Sequence, residues 1–309
     1  MKPIVILGIF VADTAYRAER QPKMGETILG TSFVLGPGGK GSNQSVAAAM
    51  ASSGAGGKVH FITRLGADAF ADIAQATWAK AGVVPEVKVD ADSYTGAAYI
   101  FIENASGNNA IIVAPGAAGR VSAEDVEAKA DLIGSAAIFV TQLEQPISAA
   151  KRGLQIARAA GVTTILNPAP AASLPDEMLA LCDYVTPNET EAEALTGLPV
   201  SSVDEAERAA AALLAMGVGA VVITLGDKGA LYHDARRSVH VPVISAGPVV
   251  ETTGAGDAFN GGFAVALSEG RDVIEAVRFG CATAGISVTR PGTAPAMPAR
   301  AEIDALLAR

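Results

Sequence analysis

The chain has 309 residues, of which 50% are apolar and 18% are charged. This excludes a disordered chain, a collagen and a coiled coil, and it favours a single domain over residues 1–309. The net charge of −9, with no run of Lys or Arg, predicts no binding to nucleic acid or to an anionic membrane. Two cysteines and three histidines lack metal-ligand spacing, and the N-terminus lacks a signal-peptide pattern, so we expect a cytoplasmic protein without structural zinc.

Short apolar runs rich in Val and Ile predict the first group of elements, which are buried strands. They lie at 4–9, 136–141, 162–166, 183–186 and 219–224. Ala-rich stretches of helical length separate most of them, and this alternation indicates strands buried on both faces of a mainly parallel sheet. The uncharged stretch 209–225 is divided by Gly217 and Gly219, which predicts a helix, a turn and a strand. The predicted fold class is therefore α/β, with a central sheet flanked by helices.

Two segments, 12–36 and 88–115, interrupt this alternation. In the second segment, apolar residues 97–102 and 110–113 flank the turn-prone residues 103–108, which is typical of a hairpin. We predict that the two segments form a small β-sheet that projects from the main body as a lid over a ligand. An ordinary edge extension of the sheet is the alternative.

The first of two glycine-rich segments runs from Gly36 to Gln44, with Lys40 near its centre, and leads into an Ala-rich helix predicted at 45–53. Glycines before a helix allow close backbone approach, and the helix N-terminus offers free N–H groups to a ligand. The spacing is not that of a phosphate-binding Walker A loop, because Val34 stands where that pattern needs Gly. A glycine turn capped by Ser42 is the alternative.

The second segment spans residues 251–262 and opens a helix that we expect to end near Gly270. Backbone N–H groups of Gly254, Ala255 and Gly256 can point at one place, forming an anion hole for a transferring phosphoryl group. Asp257 lies beside this hole in the first turn, where the helix dipole favours its ionised form, and it is a candidate base for a hydroxyl. An N-capping Asp without chemistry is the alternative.

Two further segments carry candidate polar residues. Asn188 follows a strand end and Pro187, and Glu191, three residues later, shares a helix face with it, so both can approach a hydrated Mg²⁺ and its phosphates. An acidic helix start that only complements the dipole is the alternative. Residues 224–229 form a glycine turn at the carboxyl end of a strand, the edge where α/β sheets bind ligands.

In combination and in this order, these segments resemble those of the ribokinase or pfkB family of sugar kinases, over nearly the whole chain. The resemblance implies a central sheet with a small β lid and transfer of a phosphoryl group from ATP, with Mg²⁺, to a primary hydroxyl of a pentose such as ribose or 2-deoxyribose. It makes Asp257 the base and residues 254–256 the anion hole. We also expect a homodimer.

The resemblance assigns the remaining candidate residues to four groups. The sugar-contacting positions are Val11, Asp13, Gly39, Lys40, Asn43, Glu144 and Asp257. The nucleotide positions are Asn188, Thr224, Gly226, Gly229 and Gly256, and Glu191 is associated with Mg²⁺. The positions of an activating monovalent cation, K⁺ in the family, are Glu251, Thr253, Ser287, Arg290 and Gly292.

Three residues depart from the family pattern. Val11 stands where an Asn usually bonds a sugar hydroxyl, and a buried hydroxyl without its partner costs about 1–3 kcal/mol, which favours a deoxy sugar. Glu251 replaces an Asp of the cation site, and Ala296 replaces a residue with a hydroxyl. A nucleoside or fructose-type hexose kinase, or a non-catalytic sugar-binding protein on the same fold, are the alternatives.

Overall fold

The computed structural model describes residues 2–52, 57–175 and 177–309. Its strands are β1 (Ile4–Leu7), β2 (Val11–Ala18), β3 (Ser32–Gly38), β4 (Val59–Leu65), β5 (Val84–Val89), β6 (Thr95–Glu103), β7 (Asn109–Gly116), β8 (Ile138–Thr141), β9 (Thr163–Leu166), β10 (Tyr184–Val185), β11 (Ala220–Thr224), β12 (Ala230–Asp234) and β13 (Ser238–Val241). Its α-helices are α1 (Lys40–Ser52), α2 (Ala69–Ala81), α3 (Ala123–Glu127), α4 (Ala130–Gly134), α5 (Ile147–Ala159), α6 (Glu189–Thr196), α7 (Val203–Ala215), α8 (Ala255–Ser268), α9 (Val273–Ser287) and α10 (Arg300–Leu307).

Nine strands form the central sheet in the order β13-β12-β11-β10-β9-β8-β1-β4-β5. The strands from β11 to β5 are parallel, and β12 and β13 add an antiparallel edge. The five predicted strands correspond to β1, β8, β9, β10 and β11, and the stretch 209–225 is the end of α7, a turn and β11. The predicted α/β fold class is confirmed.

Helices cover both faces of this sheet, and successive residues of β1 show why. Ile4 and Ile6 belong to one buried apolar cluster, whereas Val5 and Leu7 belong to a second cluster on the opposite face. Because neighbouring side chains of a strand point to opposite faces, a strand that is apolar at every position needs a core on each side. The continuous apolar runs in the sequence therefore reflect two cores that share one sheet.

Helix α1 begins five residues earlier than predicted, at Lys40, directly after Gly39, whose φ of 87° suits glycine. Ser42 therefore lies inside the helix and does not cap it. The Ser42 hydroxyl accepts a hydrogen bond of 2.9 Å from the indole N–H of Trp78, which is buried on α2. The predicted last helical residue, Ser53, lies outside the described residues.

A second sheet of four strands has the order β3-β2-β6-β7, with β2 antiparallel to β3 and parallel to β6. Its strands come from the two segments that interrupt the alternation, and the predicted small sheet is confirmed. Residues 88 and 89 of the second segment belong instead to β5, at the edge of the central sheet. Among the described helices, none combines the length and the apolar character needed to cross a bilayer.

Candidate active site

The candidate site is a cleft of 140 Å³ beyond the carboxyl ends of the central strands, where α1 and α8 begin. Parallel strands expose their last residues at a common edge, which explains why distant segments meet there. The lining residues come from both glycine-rich segments and from the strand ends: Lys40, Asn167, Ala169, Thr186, Asn188, Glu191, Thr224, Gly254, Gly256, Asp257 and Asn260.

Asp257 is buried in the first turn of α8, which follows Gly254 in the left-handed conformation at φ 81°. Its Oδ2 accepts a hydrogen bond of 3.1 Å from Nδ2 of Asn43, and its Oδ1 accepts one of 3.0 Å from Nε2 of Gln44. Burial raises the pKa of Asp257, although Lys40 and the two amide donors act to lower it. Burial of this carboxylate therefore opposes the expected effect of the helix start, which favours the ionised form.

Lys40 and Glu144 meet at the start of α1. The backbone N–H of Lys40 donates to Oε2 of Glu144 at 2.7 Å. This carboxylate therefore binds one of the N–H groups at the helix start that we expected to be free for a ligand. Burial raises the pKa of Glu144 to about 7, against the attraction of Lys40. Burial alone would lower the pKa of Lys40, but the carboxylates of Asp257, Glu144 and Glu191 raise it.

Asp13 lies on β2 of the small sheet and faces the same group of charges. Burial, together with the charge of Asp257, raises the pKa of Asp13 to about 6. A Cβ added to Gly38, on the neighbouring strand β3, would collide with the Asp13 carboxylate, so this glycine makes room for it. Val11, two residues before Asp13, is buried in a small apolar cluster with Ile9, Ala98 and Ala118.

Asn188 caps α6 and forms a reciprocal pair with Glu191: the backbone N–H of each residue donates to the other's side chain, at 2.9 and 2.8 Å. Burial raises the pKa of Glu191. Thr224, at the end of β11, forms a parallel bridge with Asn188, and both line the cleft. Gly226 and Gly229, in the turn that follows, lie outside this lining.

The five residues expected at a monovalent-cation site are only partly brought together. Oε2 of Glu251 accepts the backbone N–H of Gly292 at 2.8 Å, and the backbone N–H of Arg290 donates to the carbonyl of Ser287 at 3.2 Å. The Arg290 guanidinium instead pairs with Glu302, and the hydroxyl of Ser287 donates to its own helix. Within the described residues, no group of three or more His, Cys, Asp and Glu side chains is placed to hold a metal ion.

Sequence reasoning assigned no role to several buried polar residues beside Asp257. Nε2 of Gln44 also donates to Oδ1 of Asn167 at 3.0 Å, and Nδ2 of Asn167 donates to the Thr186 carbonyl at 2.9 Å. The Thr186 hydroxyl donates to Oδ1 of Asn260 at 2.6 Å, and Nδ2 of that residue donates to the carbonyl of residue 256 at 2.8 Å. The only sequence signal is that these polar residues adjoin apolar runs and glycine turns.

Comparisons with known proteins agree with this geometry. Residues 1–300 match the model of the pfkB family carbohydrate kinases. The ribokinase of Haemophilus influenzae is 38% identical over 302 residues, covering 97% of each chain, and the deoxyribokinase of Salmonella typhi is 37% identical over 298 residues, covering 96% of this chain and 95% of the relative. The structure of Arabidopsis thaliana ribokinase with ribose and ATP superposes with a TM-score of 0.91 at 33% identity, covering 99% of this chain and 98% of that one.

The chain therefore belongs to the pfkB family of carbohydrate kinases, and the resemblance drawn from its two glycine segments is confirmed. Its enzymatic class is that of an ATP-dependent sugar kinase, as those segments predicted.

Proposed function

We propose that this chain transfers the γ-phosphoryl group of ATP to the primary hydroxyl of a pentose, O5 of ribose or of 2-deoxyribose. The observation that carries the proposal is the meeting of Asp257 with Lys40 and the glycines 254 and 256 in one cleft. The names of the relatives support a pentose, because both a ribokinase and a deoxyribokinase match nearly the full length at similar identity.

In the proposed reaction, Asp257 accepts the proton of the sugar hydroxyl while the hydroxyl oxygen forms a bond to the γ-phosphorus. The bond from phosphorus to the oxygen bridging to ADP breaks, and its electron pair leaves with ADP. Backbone N–H groups of residues 254–256 and the ammonium of Lys40 stabilise the charge on the phosphoryl oxygens. Asp257 then releases its proton to solvent.

Asp13, Gly39, Lys40, Asn43 and Glu144 are proposed to bind the sugar, with Val11 beside them. Asp13 and Glu144 enter from the small sheet and from the loop after β8, so the sugar would lie between the two sheets. The small sheet acts as a lid, because its Asp13 and the Asn43 of α1 must reach hydroxyls of one molecule. Closure excludes water that would otherwise accept the phosphoryl group.

ATP is proposed to lie along Asn188, Thr224 and the turn 226–229, with its phosphates at the start of α8. The residues present fit Mg²⁺: Glu191 lies in the cleft and gives a hard oxygen ligand, and Mg²⁺ is commonly held by one or two carboxylates together with waters and substrate phosphates. When bound, Mg²⁺ neutralises phosphate charge. A K⁺ site at Glu251, Thr253, Ser287, Arg290 and Gly292 would use backbone carbonyls beside the Glu251 carboxylate, and comparing activity in K⁺ and Na⁺ tests it.

A homodimer is proposed through the small sheet. One face of this sheet carries Phe33 of β3 and Ile112 of β7, which are 54% and 67% exposed, with Tyr16 of β2 and Tyr99 of β6 between them. Exposed apolar side chains of this size on one face are typical of an interface. Sedimentation of the wild type and of Ile112→Lys tests this, because a charge on the interface would give a monomer.

The function is tested by measuring ADP release across a panel of ribose, 2-deoxyribose, fructose and nucleosides. We expect turnover with a pentose and at least about tenfold lower kcat/KM with the other classes. Preference for a nucleoside would identify a nucleoside kinase, and preference for fructose would identify a fructose-type hexose kinase. Tight sugar binding without ADP release would identify a non-catalytic binding protein.

A further inference from the structure

The buried polar residues beside the cleft form a closed ring of hydrogen bonds. It leads from the Asp257 side chain through Gln44, Asn167, Thr186 and Asn260 and returns to the carbonyl of residue 256. Every member is buried or lines the cleft, and a buried polar group without a partner costs about 1–3 kcal/mol. The ring therefore fixes the carboxylate and the adjoining turn of α8 relative to the strand ends.

Gln44 has a distinct place in this ring. Its side chain is fully buried, with 0% of its surface exposed, so it offers no surface to a ligand. Its Nε2 makes two hydrogen bonds, to Oδ1 of Asp257 and to Oδ1 of Asn167, both at 3.0 Å. The amide group of a Gln has nearly the same shape in either orientation, so its partners decide which end faces the carboxylate.

The partners of Gln44 select one orientation. Nε2 of Gln142 donates to Oε1 of Gln44, and Oδ1 of Asn167 can only accept, so the NH₂ end must point towards Asp257. On the other side of the carboxylate, Nδ2 of Asn43 holds Oδ2. Asn43, which is 4% exposed, is a proposed sugar ligand and can change partner when sugar binds, whereas the fully buried Gln44 keeps its bonds.

On this basis we propose that Gln44 is a positioning residue for phosphoryl transfer, which holds Oδ1 of Asp257 so that the carboxylate presents a lone pair to the sugar hydroxyl. The inference rests on the proposed function, because it assumes that Asp257 is the base. Without this donor the carboxylate can turn about its Cβ–Cγ bond, and a misplaced reacting group costs up to about 10²-fold in rate.

The charges that face Asp257 explain why a neutral donor matters. Among the described residues, Lys40 of α1 is the cation that acts on Asp257, while Asp13 of β2, Glu144 after β8 and Glu191 of α6 are the carboxylates near it. Burial raises the pKa of Asp257, and the hydrogen bond from Gln44 opposes that rise. Removing the donor therefore moves the protonation of the base to higher pH, while the facing charges stay unchanged.

The test is the variant Gln44→Met, whose side chain has similar length and no donor, with Gln145→Met as the matched control. Gln145 is also a buried amide, but it donates to the hydroxyl of Thr141 and the carbonyl of residue 142, outside the ring. For Gln44→Met we expect kcat to fall by about 10- to 100-fold, the KM values for sugar and ATP to stay within about threefold, and the acid limb of the kcat profile to move up by about one pH unit. Gln145→Met keeps kcat and the pH profile of the wild type.

Three outcomes would overturn the inference. If kcat of Gln44→Met stays within threefold of the wild type, the carboxylate needs no such donor. If Gln145→Met loses as much activity, the effect is loss of packing. If KM rises while kcat and the pH profile are unchanged, Gln44 serves sugar binding. A wild type that releases no ADP with any pentose overturns the proposed function itself, and this is seen before any variant is compared.

Discussion

Replacing Asp257 with Asn removes the proposed base while keeping the shape of the side chain. Loss of a general base lowers kcat by about 10²–10⁴-fold, equivalent to roughly 3–5 kcal/mol in the activation barrier. We expect this loss in kcat for Asp257→Asn, with little change in the KM for ATP. The measurement is ADP release at saturating sugar, with Asp92→Asn, an exposed carboxylate, as the control.

The structure also predicts how the fold responds to this change. In this variant the NH₂ group of the introduced side chain would replace one carboxylate oxygen and would meet the NH₂ group of either Asn43 or Gln44, so two hydrogen-bond donors would face each other. Oδ1 of Asn43 is buried and has no hydrogen-bond partner among the described residues, so a half-turn of the Asn43 amide supplies an acceptor. One charge-assisted hydrogen bond is lost, worth about 1.5–3 kcal/mol, but a buried charge is removed as well.

The sign of the net effect follows from the pKa of Asp257, which burial raises in the folded protein. The folded state then binds more protons than the unfolded one, so this group makes the fold less stable as pH rises above the unfolded pKa of about 3.9. We expect the stability of Asp257→Asn relative to wild type to increase with pH in urea unfolding. Activity within tenfold of wild type, or a loss of stability above about 3 kcal/mol at neutral pH, would refute this account.

Three further changes give distinct outcomes. Gly38→Ala places a Cβ against the Asp13 carboxylate and should raise the sugar KM at least about tenfold, whereas Gly36→Ala on the same strand meets open space and leaves KM unchanged. Val11→Asn should raise the ratio of kcat/KM for ribose over 2-deoxyribose by about tenfold, and an unchanged ratio in a folded variant would mean that Val11 only packs. Glu144→Gln keeps an acceptor for the helix start and removes a buried charge. Because burial raises the pKa of Glu144 to about 7, its ionisation destabilises the fold progressively as pH rises from about 4.5 to 7. In urea unfolding without ligand, the variant should therefore be more stable than wild type by roughly 1–3 kcal/mol at pH 8 and equally stable near pH 4.

The strands of the central sheet were predictable because they are buried on both faces. Runs such as residues 4–7 and 220–224 contain almost no polar side chain, so their pattern does not depend on which strand lies beside them. The turn-prone residues between β6 and β7 likewise indicate a hairpin without knowledge of its partners. The parallel pairing of β2 with β6 was not accessible, because it joins segments that are far apart in the chain.

The sequence predicted which segments form the site, but it did not predict the contacts between their side chains. Glycine turns and helix starts indicate where a ligand can approach, and they located both ends of the cleft. The hydrogen bonds from Gln44 to Asp257 and to Asn167 join residues that are 213 and 123 positions apart in the chain. No local sequence pattern predicts which distant residue a buried amide will bind. The same holds for Glu144, whose carboxylate occupies the start of α1, and for the desolvation of Asp257, since burial is a property of the assembled fold.

The hydrogen bond between Trp78 and Ser42 gives this protein an intrinsic optical probe. The chain has one tryptophan, so all of its indole fluorescence comes from a ring packed edge-on against Phe10 and Phe61, at centroid distances of 5.8 and 5.2 Å. That ring donates to the residue directly before Asn43, inside the first glycine-rich segment. We expect a sugar that shifts the start of α1 to change the emission of Trp78, which a titration in the absence of ATP would follow without a label and without turnover.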